Sequence, residues 1–281
     1  MVLRVLVVLS LSLTLCVGSS ASVQADAAED AYKEGARLMQ EGHLGEAIEA
    51  FDKALRLNPR SATSYNGRGV AFNELAQNQR ALKDYDAALA IDDKYTEAYF
   101  NRGNAYADLG QYERAIQDYN QAILLTADYS GAYFNRSLAY MALGKSEVAA
   151  DARSYLNLKG WKDDRAMYMI IFGSFGDRWA GREADAQQLL KEATEKCDTA
   201  KWPYPIIRYL RRDISAQELL AEATDLDKKT EARTYIGLDL LLAAKRGEAL
   251  TQLEWVTTNG NRGFSEYEFA TRAIQRTRAN K

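Results

Sequence analysis

One interval constrains this chain more than any other property: the same residue types return every 34 positions. Gly35, Gly69 and Gly103 are spaced in this way, and Ser137 takes the next place in the series. Ala47, Ala81, Ala115 and Ala149 keep the same step, as do Phe51, Tyr85 and Tyr119, each four residues after its alanine. Leu38, Phe72, Tyr106 and Tyr140 make a fourth register, and Ala98-Tyr99-Phe100-Asn101-Arg102 is nearly repeated by Ala132-Tyr133-Phe134-Asn135-Arg136. A period of this length marks a helical array, because one pair of helices cannot bury both its faces and must stack on the next.

Composition agrees, with only three prolines and abundant Ala, Leu, Glu, Arg and Tyr, a balance that favours helix. Within each pair, the small residue at the eighth place of the first helix lets the second approach. The alanine faces it, and the aromatic four residues on fills the gap to the next unit. Four units follow one another over 28–163, namely 28–61, 62–95, 96–129 and 130–163. The first ends in Pro59, for which Asp93 and Ala127 stand in the second and third. In the fourth, Arg153 replaces the aromatic, so its second helix is expected to be degenerate.

A fifth unit begins at Thr230, with Gly237, Leu240, Ala249 and Leu253 at matching places; together with a closing helix over Ser265–Arg276 it makes up 230–281. Ala249 stands 100 residues after Ala149, which is not a multiple of the period, so 164–229 is expected to be an irregular helical segment. It reads as helices over Asp164–Arg178 and Glu183–Cys197, a break at Trp202-Pro203-Tyr204-Pro205, and a short helix from Tyr204. A further helix opens at Ser215, whose Glu218 completes a capping box.

The repeat pattern resembles the tetratricopeptide repeat (TPR) family. The resemblance implies an all-α fold: an α-solenoid of stacked TPR helical hairpins with a less regular helical C-terminal half. Trp202 before a short helix, Asp213-Ile214-Ser215, Gly237 and Phe264-Ser265-Glu266-Tyr267 further resemble the tail of the NlpI-type periplasmic TPR lipoproteins. That likeness implies an adaptor bringing a cell-wall hydrolase and its processing protease together. The alternative is a structural subunit of an envelope or secretion complex.

The N-terminus reads as an export signal over 1–25. Met1–Arg4 is basic, Val5–Val17 is apolar but too short to span a bilayer, and small residues precede a cut before Asp26. The expected location is therefore periplasmic, with no transmembrane segment in the mature chain. Lipid anchoring at Cys16 is disfavoured because Leu15 is too large for the residue before a lipidated cysteine. Only Cys197 survives cleavage, so the mature chain holds no intrachain disulfide. With a net charge of −3 and no basic block, nucleic acid is not an expected partner.

The residue inventory argues against catalysis, metal and cofactor. The one histidine, His43, stands beside Gly42 between two helices, where it reads as an exposed turn residue. A nucleophile pair would need His43 to meet Cys197 across most of the array, and zinc lacks ligands. Arg68, Arg102 and Arg136 recur beside the small residue, and Asp84 and Asp118 follow the first two by sixteen residues. These read as clamps between the two helices of a pair. In the fourth repeat Ala152 takes the acid's place, with Asp151 one residue early, so that repeat is expected to be looser.

In TPR geometry places 2, 5, 9, 12 and 13 of the first helix face the groove. They hold Tyr32, Asn66, Phe100 and Phe134 at place 5, Asn104 at place 9 and Asp108 at place 13, with no Lys or Arg at places 2, 5, 9 or 13. The expected ligand is an extended or helical polypeptide segment with apolar and basic side chains. Asn66, Asn101, Asn104 and Asn135 would hydrogen-bond its main chain. The alternative for Phe100 and Phe134 is packing within the array or against a second copy in a homodimer.

Overall fold

The structure, a computed structural model, describes residues 23–279. The expected leader over 1–25 lies outside them except for its last three residues, which are helical, and so does Cys16. Every regular element among the described residues is helical.

The chain divides into two compact units, the first ending at Leu125 and the second beginning at Thr126. The first unit holds three hairpins: α1 (23–40) with α2 (Leu44–Leu57), α3 (Ala62–Glu74) with α4 (Asn78–Ile91), and α5 (Thr96–Asp108) with α6 (Tyr112–Leu125). Each hairpin closes because a glycine leaves room for a ring sixteen residues later. A Cβ at Gly69 would stand 2.7 Å from the Tyr85 ring, and one at Gly103 2.7 Å from Tyr119. Phe51 wedges against Gly35 of its own repeat and Gly67 of the next, 2.8 Å from the Cβ position of either. The ring is therefore what approaches the glycine most closely. Ala47, Ala81 and Ala115 are fully buried beside it.

The turns repeat as strictly as the helices. Gly42, Ala76 and Gly110, again 34 apart, all adopt positive φ, at 80°, 56° and 69°. That conformation lets the chain reverse within a few residues. The second helix of a pair stops through Asn58 or Asp92, whose Oδ1 accepts the amide of Arg60 or Lys94 at 3.1 and 3.0 Å. Such local turns compete with helix continuation, so the missing proline of repeat two is not needed.

The second unit starts with α7 (Ser130–Leu143) and α8 (Val148–Lys159). The turn between them keeps the positive φ of the series, 67° at Gly144. Contrary to expectation, α8 is a complete helix. Its Tyr155 is buried and meets Phe134 at 6.0 Å between centroids, as Tyr119 meets Phe100 at 5.9 Å. Arg153 is freed to pair with Asp177.

The segment 164–229 is also more regular than expected. In it α9 (Ala166–Trp179) and α10 (Glu183–Lys196) form another hairpin, and a Cβ at Gly173 would lie 2.8 Å from Leu189, sixteen residues on. The period had slipped by two residues, which hid the unit. Short helices α11 (Tyr204–Leu210) and α12 (Ala216–Glu222) follow, the latter opened by the Ser215–Glu218 capping box. The hairpin α13 (Leu226–Leu242) and α14 (Arg246–Asn259) packs through Gly237 and Leu253, with 2.6 Å to the Cβ position. Finally α15 (Ser265–Ala279) lies against α13, α14 and α7.

Candidate functional site

In the first unit the first helices of the three pairs, α1, α3 and α5, carry Tyr32, Asn66, Phe100, Asn101, Asn104 and Asp108. All but Asp108, which is exposed, are half-buried. The amides form a ladder between repeats, with Asn101 Nδ2 donating to Asn66 Oδ1 at 3.0 Å and Asn66 Nδ2 to the Tyr95 hydroxyl at 3.4 Å. One step along, Asn73 Nδ2 donates to Asp108 Oδ2 at 3.0 Å. Asn104 Oδ1 accepts from the Tyr119 hydroxyl at 2.9 Å. Asn66 and Asn101 keep unused hydrogen-bonding capacity, while neighbours hold their orientation.

The rings are partly committed to the fold. Tyr32 tilts on Phe51 at 5.8 Å, and Phe100 on Tyr119 at 5.9 Å. Each presents its remaining surface from a fixed rotamer. Both rings thus pack inside their hairpins and stay partly uncovered.

The second unit treats its share differently. Phe134 and Asn135 are half-buried on α7, but the farther part of the same helix is covered by the chain itself. The Arg276 guanidinium of α15 donates to the Ala142 carbonyl, and Met141 and Ala142 are buried. Phe134 and Leu138 open onto a cavity of about 280 Å³ shared with Tyr168, Phe172, Glu231 and the Gly263–Glu266 segment. On this unit the expected groove is thus partly filled by the protein's own C-terminal segment, a feature without a signal in the repeat pattern.

The recurring arginines are structural. Arg68 forms a two-bond fork with Asp84, at 2.8 and 2.7 Å, and reaches Asp52 at 2.5 Å, tying α3 to the second helices of two successive pairs. Arg102 does the same with Asp118 and Asp86. In the fourth repeat Arg136 finds Asp151, so the expected looseness is absent. The start of α8 shows why: Val148, Ala149 and Ala150 donate to carbonyls three residues back. That tighter winding turns each residue further about the axis and brings residue 151 round to the acid's position. Burial pushes the carboxyls of Asp118 and Asp151 above their usual range although the arginines pull them down.

His43 is exposed beside Glu46, 3.5 Å away. The Cys197 thiol donates to the Trp161 carbonyl at 3.3 Å, and burial pushes its pKa up, the opposite of what a nucleophilic thiol needs. Among the described residues no cluster of His, Cys, Asp or Glu has the makings of a metal site, and no helix is long and apolar enough to cross a membrane.

The hairpins, their close-packed glycines and their 34-residue period define a helical-repeat protein of the α-solenoid class. Tetratricopeptide-repeat family models match residues 32–96, 84–117 and 103–144. The chain is a tetratricopeptide-repeat protein. A tetratricopeptide repeat protein from Parabacteroides merdae superposes with a TM-score of 0.57 at 16% identity, covering 89% of this chain and 99% of its own. The MamA protein gives 0.52 at 18% identity, over 70% and 98% of the two chains. YrrB, described as a TPR protein with an unusual peptide-binding site, gives 0.53 at 17% identity, over 66% and 91%. These likenesses concern the fold alone. In sequence, the small glutamine-rich tetratricopeptide repeat-containing protein 2 of Mycosarcoma maydis is 38% identical over 55 residues. That stretch is 20% of this chain and 16% of the relative.

Proposed function

We propose that this chain is an exported, non-catalytic adaptor that binds segments of other polypeptides through the first-helix face of its repeats. The observation that carries the reading is the strip on α3 and α5, where Asn66 and Asn101 are hydrogen-bonded across repeats beside the half-buried Phe100. Pre-oriented amides next to an apolar ring suit a peptide main chain with an apolar side chain. YrrB supports it only in that the same fold accommodates a peptide site.

Magnitudes assign the roles within the strip. Fully covering an aromatic side chain contributes roughly 1.5–3 kcal/mol, and Tyr32 and Phe100 are already half covered. What the two rings have left, roughly 1.5–3 kcal/mol together, about balances only the low end of the ~2–5 kcal/mol needed to order a flexible segment. Binding must therefore draw on the amides, and on Glu29, Glu74, Glu97 and Asp108 for basic side chains.

The N-terminal signal pattern supports a periplasmic location. The resemblance of the C-terminal half to NlpI-type proteins supports a narrower role, in which the bound partners are a cell-wall hydrolase and its processing protease. Capture of partners from envelope extracts with the wild type and with Phe100→Ala tests the reading. Loss of partners with an unchanged Tm is the expected result; retained partners, or a collapsed Tm, overturn it.

A further inference from the structure

Seven carboxylates are buried among the described residues, and they fall into two kinds. Asp84, Asp118 and Asp151 are held by Arg68, Arg102 and Arg136. Asp177 has Arg153 and Arg182, and Asp239 has Arg178 and Arg212. Glu231 and Glu266, each 4% exposed, have only neutral donors. Trp202 Nε1 donates to Glu231 at 2.9 Å, and the Tyr168 hydroxyl lies 3.2 Å from both its oxygens. The hydroxyls of Tyr235 and Ser265 donate to Glu266 at 2.5 and 3.2 Å. A buried carboxylate without a counter-charge is costly, and both of these line the one cavity that also holds Phe134, Tyr168, Phe172 and Phe264.

We infer that this recess is a binding site for the cationic end of a basic side chain, lysine or arginine, carried by a polypeptide partner; the inference rests on the reading of the chain as a polypeptide binder. Size, walls and floor agree on the guest. A volume of about 280 Å³ lies at or below the ~300–1,000 Å³ of sites for whole small ligands, and suits a single side chain. The aromatic walls attract a cation through their π faces. The carboxylates keep unused lone pairs for its N–H groups. Their tyrosine and tryptophan donors fix the carboxylate planes without supplying the missing charge.

The guest's arrival carries a proton signature. Burial pushes the Glu231 carboxyl up to about 8, and Glu266 opposite it adds to the rise. The groups facing it are Glu266 of α15, Tyr168 of α9, and Asp227 and Tyr235 of α13. Lys228 lies over the Trp202 ring at 5.9 Å, and Arg165 over Phe134 at 4.5 Å, neither paired with Glu231 or Glu266 among the described residues. A cation favours the ionised carboxylate, so binding releases a proton and tightens as pH rises toward the Glu231 pKa.

The test uses the full chain with n-butylammonium and methylguanidinium as probes and n-butanol as the neutral control. Binding is read from the indole N–H resonance of Trp202 and from Tm. Both cations are expected to shift the resonance saturably and n-butanol is not. Between about pH 6.5 and about pH 8.5 their affinity should rise by roughly tenfold or more. Glu231→Gln keeps the acceptor for Trp202 and should abolish the response with the fold intact. An equal response to n-butanol, a pH-independent affinity, or an unchanged response in Glu231→Gln overturns the inference. Should that variant not fold, discrimination between cation and alcohol in the wild type decides. The probes have no peptide backbone, so the two readings fail separately. Cation binding alongside failed partner capture counts against the proposed function, and intact capture with silent cations counts against the recess.

Discussion

Arg136 grips Asp151 through two parallel hydrogen bonds, Nε to Oδ2 at 2.8 Å and Nη2 to Oδ1 at 2.5 Å, over a separation of fifteen residues where Arg68 and Asp84 use sixteen. The fourth repeat keeps the clamp by rewinding the start of α8 rather than by keeping the residue. The pair is also the most buried of the three such clamps.

Removing the acid strands a mostly buried guanidinium. Asp151→Ala should therefore destabilise the protein by ~3–5 kcal/mol, measured as a shift in the urea midpoint at constant slope. Restoring the sixteen-residue spacing with Asp151→Ala plus Ala152→Asp should not rescue it. The tight first turn of α8 points residue 152 away from Arg136. Rescue by the double variant would show that the winding does not set the pairing.

The same position shows what a sequence read by period can and cannot reveal. Gly35, Gly69 and Gly103 announce helical pairs because a fixed interval survives when every unit has the same length. It predicted the helical pairs and the Arg–Asp clamps of repeats two and three. It failed where compensation is local. Asp151 and Tyr155 replace the acid and the aromatic one and two residues out of register, and Gly173 heads a hairpin displaced from the series by two. The helix stops at Asn58 and Asp92 keep the regular interval, one place before Pro59 and its replacement Asp93. Of the candidate site, the residue types on α1, α3 and α5 were legible. The partial covering of α7 was not, because contacts such as Arg276 with Ala142 join segments 134 residues apart and leave no periodic trace.

The glycine places separate packing from flexibility. A Cβ at Gly69 would meet the Tyr85 ring at 2.7 Å, whereas one at Gly45, inside α2, meets nothing within 4 Å. Gly69→Ala should cost about 1–3 kcal/mol by forcing α3 and α4 apart. Gly45→Ala should instead stabilise by roughly 0.5–1 kcal/mol through helix propensity. Thermal unfolding of the two variants checks the opposite signs; equal losses would mean that the close approach is not what selects glycine.

Ala76 occupies the turn position where Gly42, Gly110 and Gly144 also have positive φ. An L-residue with a Cβ is strained there by about 1–2 kcal/mol, and glycine gives back part of the gain through its freedom in the unfolded chain. Ala76→Gly should raise stability by about 0.5–1 kcal/mol, while Gly110→Ala, the reverse change 34 residues on, should lower it. Denaturant midpoints that move in the same direction would refute the shared turn geometry.

The Glu231 carboxyl links stability to pH in a defined direction. Its pKa is raised from the usual 4.5 to about 8, first by burial and then by Glu266. The folded protein therefore holds a proton that the unfolded chain has lost anywhere between those two values. Where the folded state binds more protons, stability falls as pH rises. The contribution is complete below about pH 4.5, shrinks through neutrality and is gone once pH passes the folded value. Over that window the loss should be of the order of a few kcal/mol. In Glu231→Gln the side chain is neutral at every pH, so this part of the slope disappears while the hydrogen bond from Trp202 is retained. Unfolding free energies of both proteins at intervals from about pH 5 to about pH 9 measure the difference. Parallel curves would mean that Glu231 ionises as readily in the fold as in water, and its isolation from cations would then have no energetic consequence.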